Sequence, residues 1–204
     1  MMLNFMKKYK MISTSKRIIL GSNSPRRREL LSGLGIDYAV RVVEGIDESY
    51  PDTLAAEDIP QYISRKKASA YDLSRDELLI TADTIVWCDG RVLGKPASRA
   101  AACRMLESLS AATHQVITGV TLTTLETQRT FFSVSDVTFG PLAPREIEYY
   151  VDNFRPYDKA GAYGIQEWIG YVAVTSLRGS YFNVMGLPIQ RLYTELKSMG
   201  ILDV

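Results

Sequence analysis

The order of hydrophobic and polar residues predicts that short strands and helices alternate along the chain. RIIL (residues 17–20) is apolar and β-branched, as a buried strand is, and Ser24-Pro25 then supplies the cap and the first turn of a short helix. YAVRVV (residues 38–43) alternates in the way of a strand. Residues 55–71 carry apolar side chains at helical spacings. The first third of the chain is therefore predicted as strand, helix, strand, helix.

The rest of the chain continues this pattern with longer strands. LLITADTIVWC (residues 78–88) is strand-forming on both sides of one aspartate, and Asp89-Gly90 is typical of a type I′ hairpin turn into RVLGKP. The remaining predicted elements are a helix after Ser98, strands in HQVITGVTLTTL and RTFFSVSDVTFG, a helix over 144–154, a strand in YVAVTSLRG (171–179) and a helix from about Pro188. Together they indicate an α/β fold with a mixed, twisted sheet and flanking helices.

Composition narrows the class of protein. The chain has 204 residues, 46% of them hydrophobic, which is enough to build one domain over residues 15–204, preceded by a loose tail over residues 1–14 in which Met11 is an alternative start. A net charge of +1 argues against a general nucleic-acid binder, so no specific nucleic-acid partner is expected. Two cysteines form no disulfide framework or zinc spacing, and no apolar run reaches membrane length. We therefore expect a cytoplasmic protein with no membrane partner.

The stretch GSNSPRRREL (residues 21–30) places three arginines at the positive end of a predicted helix. A cation there typically costs about 0.3–1 kcal/mol, because the aligned peptide dipoles already carry positive charge. An anion bound by the helix N-terminus, the hydroxyls of Ser22 and Ser24, and the guanidinium groups of Arg26 and Arg27 would turn this cost into a gain. The alternative is a solvated basic face on an ordinary helix.

Asp83 interrupts a run of strand-forming residues in which a carboxylate is costly without a partner or a task. Its neighbour Thr84 would point to the opposite face of a regular strand. Asp47 and Glu48, in an acidic loop, could supply a second carboxylate, and such a pair could hold a hard divalent cation. The alternatives are that Asp83 caps a neighbouring loop and that the loop acids are simply solvated.

Two lysines are candidates for phosphate binding. Lys95 lies in GRVLGKP, which is not a Walker A loop because it is one spacer residue too short and has proline where the hydroxyl ligand should stand. Lys67 is a similar candidate on the second helix. His114 is the only histidine, so multi-histidine metal sites are excluded, and its place at a strand entrance favours a structural role over a Ser-His-Asp arrangement.

The segment DKAGAYGIQ (residues 158–166) concentrates small residues, as where a backbone must approach another group closely. It ends in Gln166, whose amide can both donate and accept hydrogen bonds. Two interpretations stay open: a turn packed against another strand, and a loop that reads the edge of a base.

Five motifs occur in one order between Ser22 and Pro188: SNSPRR, ADTIV followed by GKP, HQVITGV, DKAGAYGIQ and GSYFNVMGLP. Together they resemble the Maf family of nucleoside triphosphate pyrophosphatases. The form of DKAGAYGIQ resembles the branch that acts on dTTP and UTP, as opposed to the branch that acts on methylated GTP. The resemblance implies a fold similar to inosine-triphosphate pyrophosphatases, with two lobes around a cleft, and a homodimer. The family commonly has a glycine after the glutamine, where this chain has Glu167.

The resemblance also implies roles for individual residues. A nucleoside triphosphate would be hydrolysed to its monophosphate and pyrophosphate with a divalent cation, Mg²⁺ or Mn²⁺. Asp83 would correspond to the general base and, with Glu48, would hold the metal. The implied substrate-specificity residues are Arg26, Thr84 and Gln166, and the implied triphosphate-binding residues are Ser22, Ser24, Arg27, Lys67 and Lys95.

Two other functions compete with this one. A nucleotide or nucleic-acid-binding regulator would use the arginines to grip phosphates and Asp83 only for structure, and the near-neutral charge of the chain speaks against it. An enzyme of the same fold could instead remove modified purine nucleotides. The identity of the product released from different triphosphates separates the three hypotheses.

Overall fold

A seven-stranded mixed β-sheet lies at the centre of the protein, in a computed structural model that describes residues 12–203. The strands are β1 (Ser13–Thr14), β2 (Arg17–Leu20), β3 (Tyr38–Val40), β4 (Glu77–Cys88), β5 (Arg91–Leu93), β6 (Thr113–Thr123), β7 (Gln128–Phe139), β8 (Val174–Arg178) and β9 (Leu202–Asp203). The helices are α1 (Pro25–Ser32), α2 (Asp58–Ala68), α3 (Arg99–Leu109), α4 (Pro144–Phe154), α5 (Trp168–Ala173), α6 (Tyr181–Val184) and α7 (Ile189–Ser198).

The sheet combines a parallel and an antiparallel part. Its order is β3-β2-β4-β6-β7-β8, with β5 also paired to β4. Strand β2 runs parallel to β3 and to β4, whereas β4, β6, β7 and β8 are antiparallel neighbours. Asp89 and Gly90 join β4 to β5 with φ of 48° and 74°, as a type I′ turn requires. The prediction of an α/β fold with a mixed sheet and flanking helices is confirmed.

Alternation along β4 divides the core between the two faces of the sheet. Leu78, Ile80 and Val86 join the large apolar cluster that also contains residues of α1, α3, α4 and α7. Leu79 and Ile85 belong to smaller clusters that contain residues of α2. Successive strand residues point to opposite faces, so one strand contributes to both cores.

Helix α2 packs directly on the backbone of β6 at Gly119. A Cβ atom on this glycine would lie only 2.4 Å from the backbone carbon of Pro60 and the backbone nitrogen of Gln61. One turn further along α2, the buried Ser64 Oγ lies 2.8 Å from Thr121 Oγ1, and the backbone carbonyl of Ser64 accepts a hydrogen bond from Thr81 Oγ1 at 2.8 Å. This contact fixes the height and the rotation of α2 on the sheet.

His114 lies in the large core. Its Nε2 is 2.7 Å from Tyr163 Oη, and its ring packs edge-on against Phe139 at 5.1 Å between centroids. Burial lowers the pKa of His114 from its ordinary value to about 4, so the ring is neutral in the folded protein at neutral pH. The interpretation of His114 as a structural residue agrees with this environment.

Three details of the sequence prediction are wrong. The strand predicted over 38–43 ends at Val40, because its partner strand β2 ends opposite at Leu20 and leaves no ladder for the rest. Residues 171–173 are helical, because α5 directs the buried Ile169 and Ala173, four residues apart, to the core. Ser13 and Thr14 of the predicted loose tail form β1, which pairs with β9.

Residues 1–11 of the predicted tail, which include the alternative start at Met11, lie outside the described residues. Among residues 12–203, no helix combines the length and the apolar character needed to cross a bilayer.

We predict that Gly119→Ala lowers the free energy of unfolding by about 1–3 kcal/mol, because the added methyl group meets rigid backbone of α2 rather than a flexible side chain. Denaturant unfolding measures the change. Gly94→Ala is the matched control, because a Cβ there has no atom within 4 Å. Equal stability of the two variants would contradict the close contact.

We also predict that acid weakens the fold through His114. The unfolded chain binds this proton near pH 6.5 and the folded chain only near pH 4, so the unfolded state binds more protons in between. The free energy of unfolding should fall as the pH is lowered from 6.5 to 4, by roughly 3 kcal/mol over the whole interval. Because His114 is the only histidine, His114→Gln should flatten this part of the pH profile. An unchanged slope would exclude this origin.

Candidate active site

A cleft of about 500 Å³ opens where the start of α1, the second half of α2 and the middle of β4 meet. All but one of the site residues proposed from the sequence line it, namely Ser24, Arg26, Arg27, Glu48, Lys67, Asp83, Thr84, Lys95 and Gln166. Ser22 is not part of the lining but supports it through hydrogen bonds. The nine lining residues predicted from the sequence span 142 positions, from Ser24 to Gln166, and thus face one space.

The start of α1 is held by two serine side chains. Ser24 is the N-cap residue, and its Oγ accepts a hydrogen bond from the backbone N–H of Arg27 at 3.4 Å. Ser22 Oγ accepts from the backbone N–H of Ser24 at 3.2 Å. Pro25 occupies the first turn, where its missing N–H costs nothing. The predicted cap and helix start are confirmed.

Arg27 links three parts of the cleft wall. Its Nε donates to the backbone carbonyl of Gly186 at 2.8 Å, its Nη2 to Thr84 Oγ1 at 3.0 Å and its Nη1 to Ser22 Oγ at 3.4 Å. Burial lowers the pKa of Arg27, while the nearby Asp83 carboxylate opposes this shift. The guanidinium is therefore a cross-link as well as a positive charge.

Lys67 joins two of the carboxylates that line the cleft. Its Nζ lies 2.8 Å from Asp83 Oδ1 and 2.9 Å from Glu48 Oε1, and the side chains of Lys67 and Asp83 are 14% and 12% exposed. Burial alone would raise the pKa of Glu48, but Lys67, with Lys95 and Arg27, holds it below its ordinary value. Glu48 therefore remains ionised at neutral pH.

Asp47 does not join this pair. It accepts hydrogen bonds from Lys66 at 2.7 Å and from the backbone N–H of Ser49 at 2.9 Å. These bonds hold the pKa of Asp47 well below its usual range. Of the two loop acids considered from the sequence, only Glu48 faces the cleft.

The two carboxylates next to Lys67 can supply only part of the ligands that a metal ion needs. Residues 12–203 contain no group of three or more His, Cys, Asp or Glu side chains placed to hold a metal ion. Magnesium commonly binds to one or two carboxylates together with phosphate oxygens of a substrate. Glu48 and Asp83 therefore fit a divalent cation that shares its ligands with a phosphate.

The loop from Asp158 to Gln166 forms the opposite wall. Gly161 has a φ of +68°, and a Cβ there would lie 2.9 Å from the side chain of Val86, so this position requires glycine for both conformation and space. The Oε1 atom of Gln166 is buried and has no hydrogen-bond partner within residues 12–203. An unpaired acceptor of this kind is suited to a ligand donor.

Asp158 and Lys159 also line the cleft, although the sequence did not single them out. Asp158 Oδ2 accepts from Arg26 Nη1 at 2.9 Å, and Lys159 is 8% exposed. The adjacent opposite charges at the start of DKAGAYGIQ were the available signal, but their partners are distant in the sequence.

The chain is similar to known proteins both in its sequence and in its fold. The family description "Maf-like protein" matches residues 17–199. The dTTP/UTP pyrophosphatase of Bacteroides thetaiotaomicron is 62% identical over 185 residues, covering 90% of this chain and 96% of the relative. The protein of the same name from Phocaeicola vulgatus is 60% identical over 200 residues, covering 97% and 100%. The Staphylococcus aureus Ham1 protein has a similar fold, with a TM-score of 0.51 at 14% identity, covering 90% of this chain and 100% of that one.

We predict that Arg27→Met lowers the free energy of unfolding by about 1–3 kcal/mol, because the buried carbonyl of Gly186 and the Thr84 hydroxyl lose their donor. Arg28→Met is the matched control on the next residue. Among the described side chains, Arg28 donates a hydrogen bond only to Asn23 Oδ1, at 2.5 Å. Arg28→Met should therefore lower the free energy of unfolding by at most about 0.5 kcal/mol. Thermal and denaturant unfolding compare the two, and equal losses would refute the cross-link.

Proposed function

Since the chain belongs to the Maf-like protein family, we propose that it hydrolyses nucleoside triphosphates, dTTP and UTP in particular, to the nucleoside monophosphate and pyrophosphate. The observation that carries this proposal is the cleft itself, in which a mid-strand carboxylate, Asp83, stands among cationic groups at a helix N-terminus. Such an arrangement suits an anionic substrate that must react with water.

The triphosphate is bound by the positive side of the cleft. The N-terminal turn of α1 contributes the positive end of its dipole and the hydroxyl of Ser24, with the hydroxyl of Ser22 behind it, while Arg27, Lys67 and Lys95 contribute charge. Phosphate oxygens give Lys67 an alternative anionic partner, which loosens its bond to Asp83. Substrate binding would in this way release the carboxylate for its reaction.

The reaction is an in-line displacement at the α-phosphorus. A water oxygen bonds to this phosphorus, the bond to the α–β bridging oxygen breaks, and pyrophosphate leaves with the bonding electrons. Asp83 accepts a proton from the attacking water, and the cationic groups stabilise the charge that grows on the leaving pyrophosphate. Glu48 and Asp83 would hold a divalent cation, Mg²⁺ or Mn²⁺, which when bound acidifies water and offsets phosphate charge.

Three residues from different sides of the cleft determine which base is accepted. Gln166 offers a side-chain amide to the edge of the base, and Arg26 and Thr84 complete the specificity set. Assembly as a homodimer and a cytoplasmic location stay predictions from the sequence.

A panel of nucleoside triphosphates, containing UTP, dTTP, CTP, ATP, GTP and ITP with Mg²⁺ or Mn²⁺, tests the function. Phosphate is measured with and without added inorganic pyrophosphatase. We expect phosphate from UTP and dTTP only when the added enzyme cleaves released pyrophosphate. Direct release of orthophosphate would contradict the proposal, preference for ITP would favour removal of modified purines, and no turnover would favour a regulator.

The same panel tests the role of Asp83. We predict that Asp83→Asn lowers kcat by about 100-fold or more while a non-hydrolysable UTP analogue still binds, because the amide keeps the shape of the carboxylate but cannot accept the proton. Asp152→Asn, which changes an exposed carboxylate paired with Arg99, is the control and should leave kcat unchanged. A normal rate in Asp83→Asn would remove this residue from catalysis.

A further inference from the structure

A line of alternating charges connects α1 to the loop that carries Gln166. Arg26 Nη1 lies 2.9 Å from Asp158 Oδ2, and Asp158 Oδ1 lies 2.8 Å from Lys159 Nζ. The same ammonium group lies 3.1 Å from Glu167 Oε1. We refer to Arg26, Asp158, Lys159 and Glu167 as the charge line. Its four charges cancel, so it adds no net field to the cleft.

Lys159, in the middle of the charge line, is buried. The side chain of Lys159 is 9% exposed, and a lysine is rarely so buried unless it is paired. Its two carboxylate partners, Asp158 and Glu167, lie at the two ends of the loop that contains Gln166. The pKa of Asp158 is raised by burial but lowered more by its bonds to Lys159 and Arg26, so this carboxylate stays ionised. Each charge is thus held in place by its neighbours.

Glu167 is further tied to helix α4 through Tyr150. The Tyr150 hydroxyl donates to Glu167 Oε2 and accepts from the backbone N–H of Gly164 at 3.0 Å. Burial and the Glu167 carboxylate both raise the pKa of Tyr150, so its hydroxyl remains a donor. The fully buried Tyr150 ring gives Glu167 a fixed support.

These contacts hold the backbone on both sides of Gln166. Two residues before it, the N–H of Gly164 is bound by Tyr150; one residue after it, the carboxylate of Glu167 is bound by Lys159 and Tyr150. A Cβ at Gly164 would lie 2.9 Å from Glu167 Cδ and 3.1 Å from Lys159 Cε, so the two side chains pass directly beneath the loop. The Oε1 atom of Gln166 makes no hydrogen bond to the described residues. The orientation of the Gln166 amide is therefore set by the contacts that hold the loop on either side of it.

We propose that Glu167, acting with Lys159 and Tyr150, is a positioning residue that aims the Gln166 amide and so sets the preference for uracil and thymine over cytosine. This inference rests on the proposed function. Uracil and thymine carry an N3–H donor, whereas cytosine has an N3 acceptor in the same place. A held amide oxygen pairs with the first and faces the second without a hydrogen. A loosened amide can turn over and pair with either base.

The test compares kcat/KM for UTP and for CTP in the wild type and five variants. In Glu167→Ala we expect the UTP:CTP ratio to fall about tenfold, through a raised KM for UTP, with kcat for UTP within about threefold because Asp83 and Lys67 are untouched. Tyr150→Phe should act in the same direction. The double variant should lose less than the product of the two single losses, because both changes break one network.

Two variants separate positioning from general damage. Glu167→Gln keeps the size of the side chain and an acceptor, and should restore part of the lost ratio. Glu148→Ala removes an exposed carboxylate on α4 and should leave the ratio and the melting temperature unchanged. If Glu167→Ala leaves the ratio unchanged, or lowers kcat for both nucleotides equally, the positioning role is overturned.

Calorimetric binding of UMP and CMP makes this result independent of turnover. If the wild type releases no pyrophosphate from UTP, the proposed function fails, yet the ratio of the two binding constants still decides the positioning role. We expect that ratio to fall about tenfold in Glu167→Ala, and an unchanged ratio would overturn the inference.

Discussion

The close approach of α2 to β6 at Gly119 is the constraint on which the cleft depends. Without a side chain at this position, the backbone of α2 rests against the sheet, and the Ser64 hydroxyl and carbonyl then bond to Thr121 and Thr81. Lys67 follows Ser64 by nearly one turn, so the same contact brings its ammonium group to Asp83. A helix held further away would leave the buried Asp83 carboxylate without its partner, which is costly.

The cleft is organised by partner exchange rather than by free charge. Lys67 is bound to two carboxylates, Arg26 to Asp158, and Arg27 to neutral oxygens of the wall. Lys67 and Arg26 are therefore neutralised by carboxylates in the protein itself, whereas Arg27 keeps its positive charge. Under the proposed function, an incoming polyanion would compete for these cations and would free their carboxylate partners as it binds. In the proposed function, binding of the anion and release of the proposed base would then be one event.

Local patterns in the sequence predicted most of the elements and much of the cleft. The cap at Ser24, the Asp89-Gly90 turn and the unusual position of Asp83 within an apolar strand follow from patterns that extend over only a few residues. The end of β3 at Val40 depends on the length of a neighbouring strand, and the charge line depends on residues more than a hundred positions apart. Such features arise from tertiary packing and leave little trace in any short stretch.

Because β4 contributes side chains to two cores, its register against the neighbouring strands is strongly specified. Asp83 faces α2 and Lys67, while its neighbours Ala82 and Thr84 occupy the opposite face. A slip of one residue against β2 or β6 would turn the carboxylate toward the large apolar cluster and carry apolar side chains to the cleft. Burying an unpaired carboxylate there would cost several kcal/mol. Asp83, the proposed general base, thereby also acts as a check on strand register during folding.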